Sequence, residues 1–470
     1  MEKDNSEQPS QILDSHSNAV PSPFPWLEGI GDDSLSTSRG FVFQFPPFPT
    51  LPQVKELTRP TAGLYFHIPF CAYKCSFCYY ATSVTHDSRT VQRYLDALSM
   101  EMGSRTAQNR AERHDIRTMY IGGGTPTILE PEQLSGFILG IRERFDCGRV
   151  EEFTVESTPN TLTPEKAAAL RASGVTRVSI GVQSFSDKIN ALNDRHHTVA
   201  EAFQAIKTAR QAGIDNLNLD LICGLIGETQ NSWKETIQTL LNVAPEHVTI
   251  YLFSMRPQTS AFKKVKESKV QRPPSEAERV ALYTYARQKL LENGYTQTTP
   301  NCFVREPRFE HIHQSNAWSS LPLLGFGNSV YSFVDNTVTQ NVSDISTYKE
   351  LVSNGSSPVE IGHKLNAREL MSRYCVLRFK QLRVVREDFR KSFGYDVTEV
   401  FGHEIERLEK LNLLTVDETA VSLTTKGTVY ADDVCRTFYT PNVRQRLAEM
   451  EQGQPTSHIK AKSALRLSLA

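Results

Sequence analysis

The chain has 470 residues, enough for one large domain and a smaller one, and its 39% apolar content is that of an ordinary globular protein. Lys and Arg number 52 against 53 Asp and Glu, a net charge of −1, which removes any overall electrostatic case for nucleic acid or an anionic bilayer. No apolar run is long enough to span a membrane, and eight cysteines, only three of them clustered, fit a reducing cytoplasm rather than a disulfide framework.

Residues 1–58 are rich in Ser, Pro, Asp and Gln, lack the apolar core of a secretory signal, and read as a disordered or extended arm. Phe41, Phe43, Phe45 and Phe48 near its end either cover a site mouth or anchor a linker. From Gly63 onward β-rich runs alternate with helical stretches: 64–68 then 91–107, 118–122 then 131–145, 153–157 then 164–173. The pattern continues with 177–182 then 199–212, 216–222 then 231–243, and 247–253 then 276–293. Six such units predict an α/β fold, a partial (β/α)6 TIM-like barrel over 59–300, with 301–360 as an accessory segment completing the barrel side. The run Lys263, Lys264, Lys266, Lys269 and Arg272 reads as a solvated face rather than a binding patch. Residues 361–445 predict a small C-terminal winged-helix-like α+β domain, with Phe401, Ile405, Leu408 and Leu411 on one helical face, a hairpin around 420–423 and a helix begun by Thr424. Its charges are mixed and it carries no basic recognition helix, so no nucleic-acid partner is expected. The tail, 446–470, is polar.

In such barrels chemistry sits at the C-terminal ends of the strands, and the notable polar motifs fall there. Cys71, Cys75 and Cys78, spaced C-x3-C-x2-C after the first strand, can ligate three corners of one [4Fe–4S] cluster. The fourth iron is then open to chelate S-adenosylmethionine (SAM) and deliver an electron to its sulfonium, giving a 5′-deoxyadenosyl radical. The competing readings are a zinc site, which needs a fourth Cys or His that the spacing does not supply, and three structural cysteines; His67 precedes the loop. GGGTPT at 122–127 follows the second strand, where glycines let a ligand approach the backbone and the amides could pair with the methionyl group of SAM; a tight turn needs glycine too. Glu156 and Asp220 end apolar strands and either bind ammonium or ribose hydroxyls or cap the next helix. Arg195, twelve residues after Gln183, offers a cation for a carboxylate or an exposed ion pair.

YFHIPFC with the cysteine triplet, GGGTPT, RVSIGVQSF followed by DRHHT, NLDLICGL and LLGFGNSVYSF together resemble the oxygen-independent coproporphyrinogen III oxidase family of radical SAM enzymes, over roughly residues 60–440. The resemblance implies that Tyr65, Gly123 and Glu156 contact the SAM on the cluster. It also implies a second SAM held by Phe77, Gly124, Thr125, Gln183, Arg195 and Asp220, and a C-terminal domain lying against the barrel and helping to cover the substrate.

Departures from the family separate its branches. The decarboxylating oxidases carry a further cysteine two residues after the third ligand, where this chain has Tyr80. The heme-chaperone branch carries His-Asn-x-x-Tyr-Trp, where this chain has His313, Gln314, Ala317 and Trp318 at the four signature positions. Ile226 replaces a usual proline on a loop expected to rim the substrate. By elimination the expected reaction is that of the class C methyltransferases and cyclopropanases: a second SAM donates carbon to an sp2 centre of a conjugated or tetrapyrrole substrate, with an electron donor such as flavodoxin or ferredoxin. The alternatives are propionate decarboxylation of coproporphyrinogen and heme trafficking. No membrane partner is expected, and the cluster requires a cytoplasmic location.

Overall fold

The computed structural model describes residues 61–109, 115–441, 443 and 444, so the expected N-terminal arm, its four phenylalanines and the 446–470 tail lie outside the described residues. Six parallel strands form the centre: β1 (Thr61–Ile68), β2 (Asp115–Gly123), β3 (Glu152–Ser157), β4 (Arg177–Gln183), β5 (Asn216–Cys223) and β6 (His247–Leu252). They lie side by side in chain order. The helices between them include Ser88–Asn109, Pro131–Arg142, Pro164–Ala172, Val199–Gln211, Gln230–Val243 and Glu276–Glu292, all within three residues of the sequence-based bounds. Hydroxyl caps begin several of them: Thr163, Thr198, Thr229 and Ser275 each accept a backbone N–H of the first turn.

Alternation along the strands divides the barrel into two chemistries. Leu64, Phe66, Met119, Ile121, Phe153, Val155, Val178, Ile180, Leu217, Leu219, Val248 and Ile250 are all buried beneath the helices. The opposite parity points into the lumen and is polar: Tyr65 and His67, Thr118 and Tyr120, Glu152, Thr154 and Glu156, Arg177 and Ser179, Asn218 and Asp220, His247 and Thr249. Parallel strands covered on both faces usually read as continuous apolar runs. Here a period of two survives because one face lines a polar lumen.

The segment after residue 300 supplies more of the sheet than a flank. β7 (Cys302–Val304) runs antiparallel to β6, and the chain then crosses the N-terminal ends of the strands through the helix Ile312–Trp318. It rises again as β8 (Leu323–Phe326), a seventh parallel strand on the free edge of β1. β9 (Tyr331–Val334), β10 (Thr337–Asn341) and β11 (Val359–Lys364) extend that edge as an antiparallel meander. No periodic signal marks β8, because four residues carry too few alternations to be seen.

The C-terminal part holds the helices Ala367–Phe379, Arg386–Phe393 and Val397–Lys410 and a three-stranded antiparallel sheet, β12 (Arg383–Val385), β13 (Leu414–Val416) and β14 (Ala420–Leu423), with β14 central. Phe401, Ile405 and Leu408 are buried as the helical face expected, Leu411 is the half-buried cap, and Thr424 caps the next helix. This unit abuts the barrel: Arg373 donates to Ser320 Oγ at 2.8 Å and Gln381 Nε2 to the Ser315 carbonyl at 3.1 Å. Among the described residues no helix is long and apolar enough to cross a membrane.

Leu219 on β5 is fully buried on the helix-facing side. Leu219→Ala should therefore lower unfolding stability by about 2–5 kcal/mol, read from the urea midpoint at constant slope.

Candidate functional site

The cysteine triplet leaves the C-terminal end of β1 and is tied down on several sides. The Cys78 amide donates to the Cys75 carbonyl at 3.1 Å, the Thr85 amide to the Cys71 carbonyl at 3.1 Å, and the Ser76 amide to the Asn193 carbonyl at 3.2 Å. Two donors aim at sulfur: Thr125 Oγ1 lies 3.6 Å from Cys71 Sγ, and Arg195 Nη1 lies 3.2 Å from Cys75 Sγ. Burial and the neighbouring thiols push Cys71 up to about 11, against the Thr125 hydroxyl and the Arg195 charge, and burial also raises Cys78. Metal binding would therefore displace protons, and a guanidinium beside a sulfur suits a thiolate that carries metal. Among the described residues no three His, Cys, Asp or Glu side chains converge as ligands of a single ion would, whereas a cluster takes one thiolate per iron and spreads them. The residues present fit a three-cysteine cluster.

The glycine run is explained differently from the sequence-based expectation. A Cβ at Gly122 would stand 2.7 Å from the Tyr120 ring and 2.9 Å from the Glu156 carboxyl carbon, and one at Gly124 would stand 2.5 Å from the Phe70 carbonyl and 3.0 Å from Cys71 Sγ. Gly123 has φ +118° with His67 against it. The amides are already engaged: Gly123 N–H donates to Glu156 Oε2 at 2.8 Å, Gly124 N–H to the Ile68 carbonyl and Thr125 N–H to the Phe70 carbonyl, both at 2.8 Å. The expectation that these amides serve a methionyl group is thus corrected. The turn's amides hold the strand, the cysteine loop and Glu156 together.

Glu156 also accepts from Tyr120 Oη at 2.6 Å, and the Tyr120 ring stacks on Tyr65 with centroids 5.7 Å apart. Tyr65 Oη in turn meets His67 Nδ1 at 3.2 Å. Asp220 is held from below, accepting from Ser179 Oγ at 2.8 Å and Asn218 Nδ2 at 2.9 Å, while Asn218 Oδ1 meets His247 Nδ1 at 2.5 Å. Loss of hydration raises both carboxyl pKa values, and these hydrogen bonds oppose it. Both carboxyls are half-buried at the mouth, and the N-terminal end of the lumen is closed by His313 and His311. Neither acid caps a helix.

Gln183 ends β4 with φ +68°, a strained value for a residue with a side chain. A Cβ on Gly181 would meet Gln183 Nε2 at 2.8 Å and Arg195 Nη2 at 3.0 Å, so these two side chains share a space beside Cys75. Arg195 is buried, not an exposed ion pair; it also donates to the Gly181 carbonyl, and its Nε has no partner among the described residues. Gly124, Thr125, Gln183, Arg195 and, through its register opposite Gly181, Asp220 are brought to one region. Phe77, two residues after Cys75, packs on an apolar cluster of Ile189, Leu225, Ile226, Phe253 and Ala261.

Three further positions differ from expectation. Ile226 is fully buried in that cluster rather than on a rim, and its N–H donates to Asn193 Oδ1 at 3.2 Å, a bond a proline would lose. His313 is buried at the N-terminal end of the lumen with Nδ1 2.8 Å from Thr118 Oγ1, far along the strands from the cysteine loop. Tyr80 is exposed and stacks on Tyr79 at 4.7 Å. Tyr120, which holds Glu156, had no sequence signal beyond its alternation with Thr118.

Three thiols and a pair of half-buried, hydrogen-bonded carboxylates at the carboxyl end of a partial barrel define a radical SAM protein, and residues 65–240 match the Radical SAM superfamily model. Membership carries with it a [4Fe–4S] cluster and SAM. The chain is 30% identical to heme chaperone HemW of Bacillus subtilis over 376 residues, 80% of this chain and 98% of that one. It is 27% identical to the oxygen-independent coproporphyrinogen III oxidase of Escherichia coli over 435 residues, 89% and 94% of the two chains. The solved structure of that Escherichia coli enzyme shares the fold, with a TM-score of 0.71 at 24% identity, covering 81% of this chain and 90% of that one. The chain belongs to the radical SAM family that contains HemW and these oxidases.

Replacing Cys71, Cys75 or Cys78 with Ala should remove the brown visible absorbance of the reconstituted protein, while the buried Cys147, Cys223, Cys302, Cys375 and Cys435 should be dispensable for it. A full, SAM-cleaving cluster in Cys75→Ala would refute the assignment.

Glu228, on the loop after β5, accepts the Gly224 N–H, and burial pushes its carboxyl up to about 8. Between the ordinary carboxylate range and that value the folded state binds the extra proton, so stability should fall as pH rises through this window. Glu228→Gln should flatten that slope in urea titrations taken across it.

Proposed function

We propose that the chain is an enzyme that generates a 5′-deoxyadenosyl radical at the barrel mouth and uses a second SAM as carbon donor to an sp2 centre of a conjugated, tetrapyrrole-like substrate. When bound, the cluster supplies the electron that cleaves SAM. The observation that carries the reading is the contact between Arg195 and Cys75 Sγ. It makes the Gln183–Arg195–Asp220 region a direct neighbour of the cysteine loop, so that molecules held there and at Glu156 would share the carboxyl end of the barrel. Glu156, oriented by Tyr120 and Gly123, suits an ammonium; Asp220, oriented by Ser179 and Asn218, suits a hydroxyl pair; the unpartnered Arg195 Nε suits a carboxylate. Proximity and exclusion of water are the main contributions such residues make to radical chemistry.

Two observations set the alternatives lower. Tyr80 occupies the position at which decarboxylating relatives carry cysteine. His313, the remaining histidine of the heme-chaperone signature, is enclosed with its Nδ1 on Thr118 rather than presented to a ligand.

Anaerobic incubation with dithionite and methyl-labelled SAM should yield S-adenosylhomocysteine in step with 5′-deoxyadenosine, with label in the product. Formation of 5′-deoxyadenosine from SAM without S-adenosylhomocysteine when coproporphyrinogen III is supplied, with loss of propionate carboxyls from that substrate, would reverse the ranking of the two enzyme readings. Stoichiometric heme retention without SAM cleavage would support the heme-handling one.

A further inference from the structure

The basic run set aside as a solvated face lies against the cysteine loop. The helix Ser260–Lys266 follows β6, and its Ala261 N–H donates to the carbonyl of Ser76, between Cys75 and Cys78, at 2.9 Å. Lys264 Nζ reaches Asp194 Oδ2, next to Arg195, at 2.5 Å. Outside this helix is an open cleft of about 880 Å³. Its half-buried lining includes Met255, Val265 and Val270, which pack on the same apolar cluster as Phe77. Its exposed lining is cationic, with Lys266, Lys269 and Arg272.

Residues 255–279 carry seven basic and three acidic side chains in a chain whose net charge is −1, and four of the seven, Lys266, Lys269, Arg272 and Arg279, line this cleft. Lys269 pairs with Glu267 on the surface, while Lys266 and Arg272 have no ion pair among the described residues. An apolar floor ringed by exposed cations, one layer of side chains from the cysteine loop, has the character of a transient docking patch that selects partners by charge.

We propose that this cleft docks a small acidic one-electron carrier protein, an inference that rests on reading the cysteine loop as the cluster site. The reduced carrier would be oxidised by one electron, given to a [4Fe–4S] cluster that Cys71, Cys75 and Cys78 would hold, with no bond formed or broken. The cations steer and orient the carrier, and the floor carries its redox centre toward the Ser76–Phe77 side of the loop.

The test compares the reconstituted full chain with Lys266→Glu/Lys269→Glu/Arg272→Glu, using a reduced acidic flavodoxin as probe. Binding of oxidised flavodoxin should weaken and cluster bleaching by the reduced form should slow by roughly tenfold or more, with a shallower salt dependence. Cluster absorbance and dithionite-driven SAM cleavage should be unchanged, as should flavodoxin binding in a Lys391→Glu/Lys410→Glu control on exposed positions elsewhere. Unchanged flavodoxin binding and bleaching in the triple variant would overturn the proposal. So would loss of coproporphyrin III binding with flavodoxin behaviour intact, which would assign the cations to a carboxylated small molecule. Failure of dithionite-driven cleavage in the parent chain would refute the radical reading instead, and flavodoxin binding would then decide the surface by itself.

Discussion

Carboxylates inside a lumen with little water must be hydrogen-bonded or neutralised, and the arrangement of this barrel follows from that requirement. Glu152 takes the backbone N–H groups of Ile312 and His313, Glu156 takes Tyr120 and Gly123, and Asp220 takes Ser179 and Asn218. Each carboxylate has at least one partner on a separate element, Asn218 alone sharing a strand with the acid it serves, so the polar lumen acts as a fastener between strands. Glu152 shows this most clearly: its carboxylate receives the helix that closes the N-terminal end, which in turn seats His313 against Thr118.

The same economy governs the carboxyl end. Gly123 and Gly124 let β2 pass close enough to the cysteine loop for amides to bond Glu156 and Ile68, and Arg195 spans from the Gly181 carbonyl to Cys75 Sγ. A guanidinium there offsets negative charge on the thiolates and simultaneously fixes the strand end on which Gln183 is strained. Cluster loop, carboxylates and cation are therefore one connected structure, and a change at any of them is transmitted through hydrogen bonds rather than through the apolar shell.

That shell has a different function. The helix-facing residues of β1 to β6 are interchangeable in kind, large and aliphatic or aromatic, and supply most of the burial that holds the helices on the sheet. Around the cysteine loop the shell becomes specific. Phe77, Ile226 and Phe253 form a wall against which the Ser260–Lys266 helix packs through Ala261, which explains why a buried isoleucine at 226 is compatible with the site and why the basic helix lies so close to the cysteines.

The sequence by itself determined the six strand–helix units, because period-two and helical patterns over long segments record which face is covered, and it determined the metal chemistry, because three thiols at that spacing are a local property of one loop. Glu156, Asp220 and Gln183 were legible as strand-end polar residues, and Arg195 as a cation twelve residues beyond Gln183. Tertiary structure alone decided that the GGG amides are spent inside the chain, that Arg195 sits on Cys75, that His313 closes the N-terminal end of the lumen, and that the lysine run borders the cysteine loop. Each of those is a contact between segments far apart in the chain, and nothing in the local order of residues encodes which distant group will satisfy a buried donor.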